Sequence, residues 1–170
     1  MEAAQVIAVI QAAFDGVPRP ERISLRVARA ADDYVPEAEW AAIRTLDTDT
    51  RWQDVPDRDL EEYWDVHPFL DGTAFRYYIP AFMVWCIRHN GSTDLATAQW
   101  TLSALKEPPD RLAFLTRAER NAVAQFLKFA AADWDEFDAP RAAELYRKYW
   151  RQYDESPNHA VNRTPTAGAP

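Results

Sequence analysis

The sequence predicts an all-α fold, an irregular bundle of about seven helices around a buried central helix. Three observations predict it. Apolar residues recur at three- and four-residue steps, no segment alternates apolar and polar residues as a half-buried strand does, and prolines and helix caps punctuate the chain at short intervals. With 170 residues, 48% of them apolar and 13% aromatic, there is material for one well-filled core. Residues 1–153 read as a single helical domain and 154–170, without periodicity and rich in Pro, Asn, Thr and Ala, as a disordered tail.

Residues 3–14 place Val6, Ile7, Ile10 and Phe14 at helical spacing, and Gly16 is a natural stop. The stretch Val17-Pro18-Arg19-Pro20 cannot continue that helix, because each proline lacks an amide hydrogen and pushes its predecessor toward extended backbone. Ser24 reads as the N-cap of a short helix through Leu25, Val27, Ala28 and Ala31, whose other face carries Arg22, Arg26 and Arg29. A third helix opens at Pro36, with Glu37 and Glu39 where the helix dipole favours acids, and runs through Trp40, Ile43 and Leu46. Leu60, Tyr63 and Trp64, preceded by Asp57 and Asp59, predict a fourth, stopped by His67-Pro68.

Residues 73–89 are apolar on nearly every side, which predicts a helix surrounded by others, with Pro80 either kinking it or opening its second half. Its most apolar run, 77–87, falls short of the roughly 20 residues that a membrane-crossing helix needs. Residues 93–105 carry Leu95, Ala98, Leu102 and Leu105 before Glu107-Pro108-Pro109 breaks the pattern. Thr116 and Glu119 form a capping box ahead of Ala122, Val123, Phe126 and Leu127. Pro140 opens a last helix with Leu145, Tyr146, Tyr149, Trp150 and Tyr153 on one side and Arg141, Arg147, Lys148 and Arg151 on the other.

Several chemistries are excluded by spacing. Gly16, Gly72, Gly91 and Gly168 lie too far apart for a phosphate-cradling loop or a dinucleotide fingerprint, and neither a nucleophile elbow nor a paired-cysteine or His-Glu-x-x-His zinc motif is present. No cofactor and no metal are expected. Cys86 and His89 share a helical face, but two ligands do not make a zinc site, and a buried helix holds a free cysteine as a small hydrophobe. The lone cysteine and the lack of a secretory leader ahead of the first helix predict a reducing, cytoplasmic setting. Of the seven tryptophans, Trp52 and Trp134 fall in polar connections and are the two expected to be exposed as interface anchors.

Charge is uneven. The net charge is −8, yet residues 32–71 hold thirteen acids against three arginines, so the remaining chain sums to +2. The sign argues against nucleic acid as a partner. The acids Asp54, Asp57, Asp59, Glu61, Glu62 and Asp65 are the candidate partner-binding residues, a face that could meet a basic protein. Against this stands a purely internal use, in which Arg19, Arg22, Arg26 and Arg29 pair with the protein's own acids, beginning with Asp32 and Asp33.

Three stretches resemble a bacterial family catalogued only as a domain of unknown function: Val17-Pro18-Arg19-Pro20, Phe75-Arg76-Tyr77-Tyr78-Ile79-Pro80-Ala81-Phe82-Met83, and Leu115-Thr116 through Ala122-Val123 to Phe126-Leu127. The resemblance spans most of residues 5–130 and implies neither an activity nor a catalytic residue. The sequence names no function. The reading it favours is a non-catalytic, immunity-type protein that docks a basic partner. The alternative is an enzyme using Asp57, Glu61 or Asp65 with His67 or Arg76 in a cleft beside the central helix, and a third reading buries Tyr146, Tyr149 and Trp150 in a homodimer.

Overall fold

The computed structural model describes residues 1–89, 96–106 and 113–155. Among the described residues it is all helical, with eight α-helices and no strand. They are α1 (Ala3–Ala13), α2 (Leu25–Asp32), α3 (Trp40–Arg44), α4 (Asp57–Glu62), α5 (Gly72–Arg88), α6 (Thr97–Ala104), α7 (Arg117–Asp133) and α8 (Asp138–Leu145). Short 3-10 turns at Glu37–Glu39, Trp52–Asp54 and His67–Phe69 link the early ones.

Each boundary has a local cause. The Ser24 hydroxyl accepts from the Val27 amide at 3.3 Å and starts α2, and Asp71 does the same for Ala74 at 2.8 Å ahead of α5. The Thr116–Glu119 capping box forms in full, with bonds of 3.2 and 2.7 Å. Gly16, at φ 67°, turns the chain out of α1. At the end of α2 the amides of Val35 and Tyr34 bond the carbonyls of Ala30 and Ala31 at 2.8 and 3.2 Å, a Schellman closure that puts Tyr34 in the left-handed region at φ 60°.

Helix α5 has 13 of its 17 residues buried and packs against α1, α4, α6 and the Trp52–Asp54 turn. Pro80 neither ends nor restarts it. The helix runs continuously from Gly72 to Arg88, and at Pro80 the Arg76 carbonyl loses its amide donor. Helix α7 packs against α1 and α8, so Phe126 and Leu127 meet the same core as Val6 and Ile10. Fully buried rings such as Tyr77, Phe82 and Trp150 each contribute roughly 1.5–3 kcal/mol by leaving water.

The C-terminal part departs from expectation. The last helix begins at Asp138, so Pro140 sits within the first turn, where no amide donor is required. It stops at Leu145 and widens into a π turn, Tyr146–Trp150, followed by a 3-10 turn, Arg151–Tyr153. Trp150 is buried and donates its indole N–H to the Leu105 carbonyl at 2.9 Å. The Tyr146 hydroxyl donates to Asp154 at 2.5 Å, so no exposed aromatic stripe forms there for a homodimer to bury. Asp154, expected to begin the tail, is itself buried and accepts from Gln125 Nε2 and Lys128 Nζ at 2.7 and 3.0 Å. The tail beyond 155, Leu95 and the Glu107-Pro108-Pro109 break lie outside the described residues.

Candidate functional site

The site begins with four arginines projecting from the loop before α2 and from α2 itself. Arg19 bonds Asp49 through Nε at 3.0 Å and the Asp47 carbonyl through Nη2 at 3.1 Å. Arg22 meets Glu37 at 2.6 Å. Arg26 spans two carboxylates, Asp47 at 3.4 Å and Asp59 at 3.3 Å, while its Nη1 donates to the Tyr63 hydroxyl at 2.7 Å. Arg29 pairs with Asp32 at 3.1 Å and with Asp65. Helix α2 thus presents its arginine face to carboxylates that the sequence places up to 36 residues away.

This network reaches the core. Tyr77 of α5 donates to Asp49 at 2.8 Å, so Val17-Pro18-Arg19-Pro20 and the aromatic-proline stretch of α5, remote in sequence, meet on one carboxylate. Burial and the neighbouring Asp49 push the Asp47 carboxyl above its ordinary range, although the Ser24 hydroxyl and Arg26 oppose the rise. The Tyr78 hydroxyl, buried beside Asp49, Asp47, Arg19 and Arg44, is raised by the same desolvation and has no hydrogen-bond partner.

The expected acidic face is therefore smaller than its charge count. Asp59 is buried between Arg26 and Arg58, Asp65 is held by Arg29, and Asp54 lies 2.8 Å from Arg51. The arginines of α2 neutralise much of what residues 32–71 carry, which a count confined to that window does not show. Asp57, Glu61 and Glu62 remain together on α4, none of them paired with an arginine or lysine among the described residues. Asp57 is half exposed, with His89 Nε2 3.9 Å away. Glu61 accepts from the Trp85 indole at 3.3 Å.

Between α4 and α5 runs a crevice floored by Trp52, Leu60, Val84 and Trp85, with Asp57 and Arg88 at its rim. Its volume is about 30 Å³. A small-molecule pocket typically needs some 300–1,000 Å³, so the crevice can take part of a side chain but not a substrate. Of the residues an enzyme reading would use, only Asp57 lines it. Asp65 is tied to Arg29, His67 is buried against Phe82 with ring centroids 4.3 Å apart, and Arg76 is clamped to buried Glu119 at 2.8 Å.

The remaining candidates resolve into structure. Burial pushes the Cys86 thiol up to about 12 despite its contact with the Thr101 hydroxyl. His89 stacks on Trp85 at 4.4 Å. Trp52, expected to be exposed, is turned inward by its 3-10 turn and donates to the Phe14 carbonyl at 2.9 Å, while Trp134 is half buried edge-on to Phe126. Among the described residues no three His, Cys, Asp or Glu side chains converge as a metal site would need, and no helix is long and apolar enough to cross a membrane. Sequence reasoning can place Asp47 and Asp49 in an acidic cluster but not bury them against Arg19 and Arg26, and it missed Tyr78 beside them, because nothing local marks either burial.

Neither a curated protein nor a solved structure matches the chain. One family profile does, over residues 2–154, and its description is "Family of unknown function (DUF6714)". The match takes in α1 through the last 3-10 turn and ends on the buried Asp154, and by it the chain belongs to the DUF6714 family of unknown function.

Proposed function

We propose that the protein is a non-catalytic binding protein that receives a basic segment of a partner protein on α4 and the crevice beside it. The observation that carries this reading is the contrast within one acidic region. Asp54, Asp59 and Asp65 are paired with arginines, whereas Asp57, Glu61 and Glu62 have no ion pair to Arg or Lys among the described residues, and Asp57 lines the apolar-floored crevice. A lysine or arginine suits that shape, because its aliphatic stem covers Leu60 and Val84 while its head group meets Asp57, with Glu61 and Glu62 on the same helix. Trp85 adds an indole edge already fixed by Glu61.

The test is affinity capture from the native host at low and then moderate salt, with the captured chains identified by mass. A basic partner that dissociates as salt rises supports the reading, since exposed charge pairs weaken once the Debye length falls below about 10 Å. The variant Asp57→Asn/Glu61→Gln/Glu62→Gln should lose that partner while melting like the parent. Capture of the same chains by parent and variant at every salt concentration would refute it.

A further inference from the structure

Just over half of the described guanidinium groups are matched to a carboxylate. Eight arginines among the described residues hold one, a pattern that a chain with 27 acids can sustain. Arg147 and Arg151 are among the described arginines that hold none, and Lys148 stands with them. All three are exposed, none has an ion pair among the described residues, and they stand together around one hollow of about 390 Å³ completed by Tyr149 and Gln152. Like charges this close repel one another, so the arrangement costs the free protein something that an anion would return.

The hollow is held from beneath. Within the π turn Trp150 is fixed by its bond to the Leu105 carbonyl, and Tyr146 by its bond to Asp154. Gln152 Nε2 donates to the Tyr149 carbonyl at 3.1 Å, which ties the following 3-10 turn to it. Lys148 is drawn over the Tyr149 ring, with Nζ 5.4 Å from the centroid. Such π turns are rare and concentrate at functional sites. Here the turn joins two helical geometries and leaves the three cations on one rim.

We propose that this hollow binds a phosphate-bearing small molecule, with Arg147, Lys148 and Arg151 holding the phosphate. Size decides the class. The volume lies within the roughly 300–1,000 Å³ of small-molecule sites, whereas a stable protein interface engages roughly 20–30 residues a side, far more than the stretch from Arg147 to Gln152 supplies. Guanidinium groups suit phosphate oxygens because they donate two parallel bonds. The site lies on a different element from the α4 patch and stands or falls separately from the proposed function.

The experiment uses the full chain, labelled with ¹⁵N and titrated with inorganic pyrophosphate at low ionic strength. Saturable shifts confined to the backbone amides of residues 147–152 are expected. Arg147→Ala/Arg151→Ala should weaken binding by about tenfold or more, as loss of two charge-assisted contacts implies. The control Arg22→Ala/Arg58→Ala, which removes two exposed but paired arginines, should leave it unchanged. Shifts that do not saturate, or equal weakening in both variants, would overturn the proposal. So would an acidic peptide such as oligoglutamate binding at the same residues more tightly than pyrophosphate.

Discussion

Substituting Arg26→Met asks directly whether the acidity of this chain is spent internally. Methionine preserves the stem and the helix propensity of α2 but removes the one cation that serves both Asp47 and Asp59. Those carboxylates are only 4% and 10% exposed at the side chain, so both are left largely desolvated. Breaking a buried pair from one side costs about 3–5 kcal/mol. Here Arg26 is itself 22% exposed and Arg58 stays on Asp59 at 3.3 Å, which favours the lower end, about 3 kcal/mol. For a domain of this size that lowers Tm by about 6–12 °C. The sign of the pH dependence follows from linkage. Losing Arg26 lets the Asp47 carboxyl, already raised by burial, rise further, and a raised carboxyl contributes stability below its unfolded value and loses it as pH climbs through the folded one. The deficit read by circular dichroism melts should therefore be full at about pH 7 and shrink at about pH 4. Asp47→Asn/Asp59→Asn added to Arg26→Met should recover most of it. A loss under about 1 kcal/mol at neutral pH, or one equally large in acid, would refute the network's role.

Three further outcomes are expected. Tyr78→Phe removes a buried hydroxyl without a partner, so stability should hold or rise by about 1 kcal/mol in denaturant titration, and a clear loss would mean that the hydroxyl is bonded. Tyr34→Gly relieves left-handed backbone at a residue 93% exposed, and should stabilise by about 1 kcal/mol in the same assay. Cys86, buried and with its thiol raised to about 12, should resist iodoacetamide at about pH 8 in the native protein and react promptly in denaturant.

What could be read from the sequence was local. Ser24 and the Thr116–Glu119 pair mark helix starts because a cap is a contact among neighbours, and Tyr77 through Ile87 announces burial because nothing in it is polar enough to face water. The π turn could not be read, since Leu145, Tyr146, Tyr149 and Trp150 fit α-helical spacing equally well, and only their anchors at Asp154 and Leu105 choose between geometries. Charge was legible as a number and not as a field. Asp59 and Glu61 look alike in sequence, yet one faces Arg26 and the other the Trp85 indole. Trp52 misled for the same reason, because its polar neighbours say nothing about the Phe14 carbonyl waiting beneath it.

The α4 patch is tested most directly by titrating oligolysine into the ¹⁵N-labelled full chain and following the amides of Asp57, Glu61 and Glu62 with the indole signals of Trp52 and Trp85. Saturable shifts at these positions, abolished by moderate salt, are the result predicted. Shifts spread evenly over Asp32, Asp33, Glu37 and Glu39, or none at all, would contradict the assignment of α4 as the docking element.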